Sequence, residues 1–276
     1  MQLQRALPRF RSRGLGLAAV TYDEASTLAQ FAARDGIEYP LLSDPNSEFL
    51  RKIRMVDPDN TPANRPDYGK RNMAYPGYFL IDREGVVRER SLDAAYNDRR
   101  TAGAFLAKLF PELVEKGRAF TAPHLDIETL QSDPVVSPGS RFTLGVRVTL
   151  PPGMHVYAPG VERYRPIALS LTPDAAFSAA PPIYPSPRTL RLEAIRETVP
   201  VFEGEFTIDV DVRLPSENIA LLKSLGRDRS KRTPILVKGE LSYQACDAVR
   251  CFLPEITAVT WELEVRQLDF KPMLPH

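Results

Sequence analysis

The chain has 276 residues, of which 26% are charged, with 36 Lys and Arg set against 35 Asp and Glu. So even a balance gives no electrostatic case for nucleic acid or an anionic membrane as partner. No apolar run approaches the length of a membrane span, the start Met1-Gln2-Leu3-Gln4-Arg5 has no apolar signal core, and 2 cysteines are too few for a disulfide scaffold. The length suits two domains, and prolines spread through the chain fit a strand-rich protein.

Residues 1–12 read as a helix with Leu3, Leu7 and Phe10 on one face, closed by Gly14. Leu15 to Val20 is an almost wholly apolar run, as expected of a strand buried on both faces. Asp23 is placed to cap the next helix, whose apolar positions Leu28, Phe31 and Ala32 recur at helical spacing before Gly36 stops it. Tyr39 to Pro45 follows, then a helix across Phe49, Leu50 and Ile53, and a Pro-rich loop from Asp57 to Tyr75. Tyr78–Asp82 and Val86–Arg90 flank Arg83-Glu84-Gly85 as a hairpin. A closing helix is expected over about residues 98–116.

This order, with the words AVTYD, YPLLSDP and YPGYFLIDREGVV, resembles the AhpC/TSA peroxiredoxin-like group of thioredoxin-like redoxins over roughly residues 1–110. The resemblance implies a cis peptide before Pro76, facing the family's cysteine. It also implies an upstream strand and a cysteine-bearing helix start, neither of which lies in the sequence. The redoxin half contains no cysteine, and a thiolate is the nucleophile of this chemistry. Tyr22 and Asp23 read as a strand end and a helix cap rather than a replacement. The expectation is therefore a thioredoxin-like domain truncated at its N-terminus, with the missing segment encoded upstream. A peroxidase function would require that segment.

Residues 111–123, with Pro111, Gly117 and Pro123, read as a linker. After it the period changes to two. Phe142, Leu144, Val146, Val148 and Leu150 alternate with polar or small residues. The same rhythm runs through Phe206 to Leu214, through Ile235, Val237, Leu241 and Tyr243, and through Val259 to Val265. Alternation of this kind marks strands with one buried face, and repeated strands with Pro and Gly breaks suggest a β-sandwich. Leu221 to Arg232 reads as a short helix and a solvated basic loop. The expected fold class is two-domain, α/β plus all-β, with boundaries at 1–116 and 122–268.

Both cysteines fall in Tyr243-Gln244-Ala245-Cys246-Asp247-Ala248-Val249-Arg250-Cys251-Phe252-Leu253-Pro254-Glu255. Their spacing lets the sulfurs meet across a turn or a pair of strand ends. Chain-entropy reasoning gives a crosslink over so short a loop only about 2 kcal/mol, a modest return for a staple. A redox couple is the favoured reading; a structural disulfide, two inert thiols and half of a metal site remain open. A structural zinc site takes four N or S ligands, and His124, His155 and His276 are scattered, so no metal is expected.

The string YQAC-x4-CFLPE resembles the cysteine-bearing strand of the N-terminal periplasmic domain of DsbD-type thiol:disulfide interchange proteins. Gly153-Met154-His155-Val156-Tyr157-Ala158-Pro159-Gly160 is similar to that family's glycine–aromatic stretch, and Val201-Phe202-Glu203-Gly204 to its cap loop. The resemblance covers roughly residues 120–266 and implies an immunoglobulin-like sandwich. It assigns attack on a partner disulfide to Cys251 and resolution to Cys246, places His155 and Tyr157 beside the pair, and makes Phe202 the ring that covers it. Arg250, next to Cys251, is placed to favour a thiolate. The implied partners are thioredoxin-like or DsbD-type redox proteins, without a cofactor, in a periplasmic or other extracytoplasmic compartment. The competing reading is a non-enzymatic adaptor that docks redox partners and keeps its disulfide closed.

Overall fold

The computed structural model describes residues 2–59, 73–93, 99–161, 163–192, 197–217, 222–223 and 231–267. The chain divides into two compact units, Met1–Phe105 and Leu106–His276.

The first unit opens with α1 (Gln2–Arg11), which runs through Pro8. Its apolar stripe buries Ala6, Leu7 and Phe10. β1 (Ala19–Thr21) pairs in parallel with β2 (Leu41–Ser43) across α2 (Ala25–Asp35). The strand is shorter than Leu15–Val20, and none of those residues is buried. The reason is that β1 has a ladder neighbour on one side only, among the described residues. Asp23 does not cap α2. Its carboxylate accepts from the Thr21 hydroxyl at 2.8 Å, and Glu24 stands at the cap position. Gly36 closes the helix, as read from the sequence. Ser47 stands at the cap position of α3 (Glu48–Lys52), and Asp44 accepts from the backbone N–H of Leu50 in its first turn at 2.9 Å. β3 (Gly77–Ile81) and β4 (Val87–Leu92) form the expected hairpin. Asp82 shapes its turn by accepting from the N–H of Val86 at 2.8 Å. β1–β2 and β3–β4 stand as separate two-stranded sheets. A single thioredoxin-like sheet is therefore not what the described ladders form.

Two further expectations are corrected in this unit. Every peptide bond is trans among the described residues, the one before Pro76 included. Trans is the default by about 0.5–1 kcal/mol for X–Pro and needs no special support. Pro76 instead ties down the end of β4, its carbonyl accepting from the N–H of Asp93 at 2.8 Å. The Pro-rich loop falls mostly on residues 60–72, outside the described residues. After β5 (Arg99–Arg100), the closing helix is only α4 (Ala102–Leu109). Pro111 pushes Phe110 out of helical geometry, at φ −137° and ψ 75°, and a single 3-10 turn at Pro111–Leu113 follows.

The second unit is built from strands. The expected linker is in fact β6 (Glu115–Ala122), paired antiparallel with β7 (Leu125–Gln131). Gly117 disguised it in the sequence. The ladder shifts register between Lys116 and Ala119, and a Cβ on Gly117 would sit 2.5 Å from the Thr129 hydroxyl. Then come β8 (Val135–Val136), β9 (Ser140–Thr149), β10 (His155–Tyr157), β11 (Ala168–Leu171), β12 (Ser178–Ala179), β13 (Arg188–Leu192), β14 (Glu197–Glu203), β15 (Glu205–Leu214), β16 (Arg232–Tyr243), β17 (Ala245–Cys246) and β18 (Glu255–Arg266). The basic insertion lies mostly on residues 224–230, outside the described residues.

One layer has the strand order β12-β15-β9-β7-β6 and another β11-β16-β18-β8. The alternation seen in the sequence faces inward from both. Phe142, Leu144, Val146, Val148, Ile208, Val210, Val212, Val237, Leu241, Val259, Trp261, Leu263 and Val265 form one buried core. Each fully buried side chain of this size contributes roughly 1.5–3 kcal/mol. Trp261 also links the layers, its indole N–H donating to the Gly145 carbonyl at 3.0 Å. The third ladder, β13-β14-β10-β17, carries the cysteines.

Candidate functional site at the cysteine pair

The twelve-residue β16–β18 hairpin ladder ends at Tyr243↔Glu255. Beyond it the chain changes sheets. Gln244 breaks the ladder, and Ala245–Cys246 pair with β10 instead. The cysteines thus sit at the tip of a long hairpin whose end is paired to a second sheet. Asp247 shapes the four-residue tip, accepting from the N–H groups of Val249 and Arg250 at 2.7 and 2.8 Å. Those two bonds, Arg250 first, hold the Asp247 carboxyl below its ordinary value. The Phe252 N–H donates to the Ala245 carbonyl at 2.8 Å, and the Gln244 amide donates to the Phe252 carbonyl at 2.9 Å.

Cys246 and Cys251 are disulfide-bonded, with a Cα separation of 4.0 Å. The two sulfur-bearing residues are unlike. Cys246 is 1% exposed and packs with Tyr157, Val199 and Val201, whereas Cys251 is exposed. Around Cys251 stand Val249 at 92% and Leu253 at 80% exposure.

Register decides which predicted residues meet the pair. Residues opposite one another in a ladder share a face, and successive residues alternate faces. His155 pairs with Glu203 on β14 and with Cys246 on β17, and Tyr157 pairs with Val201. His155, Tyr157, Val201, Glu203 and Cys246 therefore lie on one face. Val156, Phe202 and Ala245 lie on the other. His155 and Tyr157 thus fall on the face that carries Cys246. Phe202, expected as the ring over the pair, falls on the opposite face. Its ring belongs to the main core, stacked on Phe206 with centroids 4.7 Å apart. Val201–Glu203 are strand residues ending at the Gly204 turn, where φ is 63°, so this patch is not a loop over the sulfurs.

The ring that reaches the pair is Tyr157. Its hydroxyl lies 3.6 Å from Cys251 Sγ, and in the disulfide the sulfur can only accept. Burial, followed by the Glu197 charge, raises the Tyr157 pKa, which keeps the O–H in place. Tyr164 stacks on Tyr157 at 4.3 Å and donates to the Glu197 carboxylate at 2.6 Å. That bond is the largest cause of a phenol pKa pushed up to about 12. Tyr164 and Glu197 went unnoticed in the sequence, and Glu203 was read only as part of a cap loop; strand register sets Glu203 opposite His155, and Tyr164 comes from the segment between β10 and β11.

His155 is 3% exposed, and its Nε2 is buried without a hydrogen-bond partner. Such an orphan costs about 1–3 kcal/mol. Burial lowers its pKa, partly offset by Glu203 and Asp247, so the imidazole is held neutral. Arg250 lies with its guanidinium carbon 4.8 Å from the Phe252 ring centroid and its Nε 3.9 Å from the Asp247 carboxylate. His124 stacks on the same ring at 3.9 Å. Pro76 belongs to the first unit. Among the described residues no group of three or more His, Cys, Asp or Glu is placed to hold a metal, and no helix is long and apolar enough to cross a membrane.

Comparison with known proteins follows the same division. Residues 1–90 match the AhpC/TSA family. Residues 127–262 match the family described as Thiol:disulfide interchange protein DsbD, N-terminal. No curated protein matches the chain. Among solved structures, the chain is similar to the N-terminal periplasmic domain of ScsB from Proteus mirabilis. Identity is 16% and the TM-score 0.35, over 54% of this chain and 50% of that one. It is also similar to the reduced DsbD N-terminal domain of Neisseria meningitidis, at 16% identity and a TM-score of 0.28, over 44% of this chain and 81% of that one. The chain thus spans half the length of the Proteus mirabilis chain it matches. The two matches thus fall on separate stretches of the chain, residues 1–90 similar to the AhpC/TSA family and residues 127–262 to the DsbD N-terminal family.

Proposed function

We propose that the second unit is a thiol–disulfide exchange module that relays electrons through Cys246 and Cys251 to or from a partner protein. The observation that carries this reading is the asymmetry of the pair. An exposed sulfur residue with apolar neighbours is open to a partner, while a buried one is held back to resolve the mixed disulfide. A staple would gain nothing from one exposed end. Exchange runs by thiolate attack on a disulfide sulfur through a mixed disulfide. Cys251 is the sulfur that attacks, and Cys246 closes the bond. The partners are thioredoxin-like or DsbD-type proteins, and the compartment is extracytoplasmic. The match to the family described as Thiol:disulfide interchange protein DsbD, N-terminal, supports both.

The test is the reduction potential of the pair. Equilibration in glutathione or dithiothreitol buffers, followed by thiol trapping, is expected to give a value between about −270 and −120 mV, the range of catalytic dithiols. A potential below about −300 mV, with no exchange against a thioredoxin-like protein, would instead make the chain an adaptor with a permanent disulfide.

A further inference from the structure

The ladder β14-β10-β17 sets three residues in a straight row across three strands: Glu203, His155 and Cys246. Each is the direct opposite of the next. Directly opposed residues have Cβ atoms about 4.5–5.5 Å apart on one face. The order is carboxylate, imidazole, sulfur, which is the order of a nucleophile, its base and the group that orients the base. Three further facts bear on the row. His155 Nε2 is buried and has no hydrogen-bond partner. An unsatisfied buried polar atom calls for an explanation, and a catalytic role is one. Cys246 is buried beside it, so a thiol formed there on reduction cannot hand its proton to bulk water. Glu203 is anchored from β13 by Arg188 at 3.1 Å.

We propose that Glu203, His155 and Cys246 form a cross-strand proton relay in which His155 is the base for the buried sulfur and Glu203 positions it. The relay rests on the exchange reading above and gives Cys246 the machinery for its step. In the reducing direction, the Cys251 thiolate attacks a partner disulfide. The Cys251–partner bond forms, and the partner's other sulfur leaves as a thiolate. Cys246 then attacks Cys251 Sγ. Its S–H bond breaks and the proton passes to His155 Nε2. The sulfur electron pair forms the Cys246–Cys251 bond, and the electrons of the mixed disulfide leave on the partner's second thiolate. The pair is oxidised by two electrons and the partner disulfide is reduced by two. The imidazolium then returns its proton to the partner thiolate or to water. Reduction of the pair follows the same path backwards.

The charged and titratable groups facing His155 suit this cycle. Glu203 on β14 and Asp247 after β17 stabilise the transient imidazolium, while burial keeps the resting ring neutral. Tyr157, T-shaped to His155 with centroids 5.6 Å apart, has its hydroxyl at Cys251 rather than at the imidazole. Arg188 faces Glu203. Tyr157, packed against Cys246, thus sets its hydroxyl at Cys251, while His155 stands directly opposite Cys246 in the ladder.

The experiment separates the two steps. The full chain is reduced and mixed with a chromogenic aromatic disulfide. The first coloured thiolate released reports attack by Cys251, and the second reports closure by Cys246. Both rates are recorded from about pH 5 to pH 9, which spans the histidine and thiol titrations. The expected wild-type second phase rises through a midpoint below the ordinary histidine range. In His155→Gln it slows by about a hundredfold at neutral pH and follows an ordinary thiol titration near about 8.5. Glu203→Gln, a change at a side chain 31% exposed, shifts the midpoint and slows the second phase several-fold. The first phase is unchanged in both. A second phase with unaltered rate and pH profile in His155→Gln overturns the relay, as does an equal fall in both phases. Should His155→Gln not fold, Glu203→Gln decides alone by the same criterion. A wild-type protein that releases no second thiolate overturns the exchange reading itself.

Discussion

The two units use strands in opposite ways. In the first, β1–β2 and β3–β4 are separate two-stranded pairs among the described residues, with Leu42, Ile81, Val87 and Leu92 exposed. In the second, long ladders close over an apolar core, and a third ladder presents the sulfurs. Among the described residues, the site thus stands on the unit with more buried apolar side chains. Precision at a reacting centre needs supporting side chains that are themselves locked by packing. The β16–β18 hairpin supplies this by carrying the cysteine tip from the core to the surface. Residues 1–105 contain no cysteine, so both cysteines of the sequence fall in the second unit.

The largest expected effect comes from dividing the pair. Cys246→Ser leaves the exposed sulfur without its resolving partner and should accumulate a mixed disulfide with a thioredoxin-like protein. Cys251→Ser leaves only the buried sulfur and should trap nothing. Non-reducing electrophoresis reads both outcomes. The reverse pattern would exchange the two roles.

The contrast in packing is sharpened by one truncation in each unit. Leu144 is fully buried in the sandwich core, and Leu144→Ala should cost about 3 kcal/mol. Leu42 is 51% exposed on β2, and Leu42→Ala should stay within about 0.5 kcal/mol. Denaturant unfolding of the full chain measures both, each assigned to its own transition where two are resolved. Equal costs would remove the distinction drawn between the units.

The sandwich was legible in the sequence because its strands bury one face, and a period of two is visible without knowing any partner. Phe142 to Leu150 and Phe206 to Leu214 alternated as the structure shows. The cysteine string was legible for a different reason, since two cysteines in a chain of this length are conspicuous. What could not be read was register. Nothing within Val201-Phe202-Glu203 says which residue faces Cys246, because both faces of β14 are covered at Val201 and Phe202. Only the pairing Val156↔Phe202 and His155↔Glu203 separates a core ring from a neighbour of the site. β6 was hidden by Gly117, whose missing side chain makes room for Thr129. The helix expected from 98 to 116 stopped early at a proline that had been visible throughout.

The outer face of the sandwich offers a pH test remote from the sulfurs. Burial, then the neighbouring Asp211, pushes the Asp209 carboxyl from 3.8 up to about 6. A carboxyl raised in the folded state favours folding in its protonated form. That contribution is complete below the ordinary value and is lost as pH rises through about 6. Above that pH the native state carries a poorly solvated charge. Asp209→Asn should then stabilise the protein on the order of 2 kcal/mol at neutral pH and leave it unchanged below about pH 4. Unfolding curves at the two pH values decide it, and an equal gain at both would assign the effect to something other than charge.

The smallest expected effect falls at the exposed sulfur. Tyr157 keeps its proton because burial and Glu197 raise its pKa, so its hydroxyl remains a donor across the range in which thiols ionise. Tyr164, stacked on it and bound to Glu197, holds the ring in place. In the reduced protein the hydroxyl that now lies 3.6 Å from Cys251 Sγ would donate to the thiolate more strongly than to the thiol. A hydrogen bond of net worth about 1 kcal/mol lowers a pKa by somewhat under one unit. Tyr157→Phe should therefore raise the Cys251 pKa by that amount and slow its alkylation at neutral pH about fivefold. Alkylation under thiolate-saturating alkaline conditions should be unchanged. Phe202→Ala is the control: its ring lies on the other face of the ladder, so it should destabilise the core by about 3–5 kcal/mol without shifting the thiol titration. A shift in Phe202→Ala and none in Tyr157→Phe would mean that the residue governing the exposed sulfur is the one the sequence suggested, not the one the register selects.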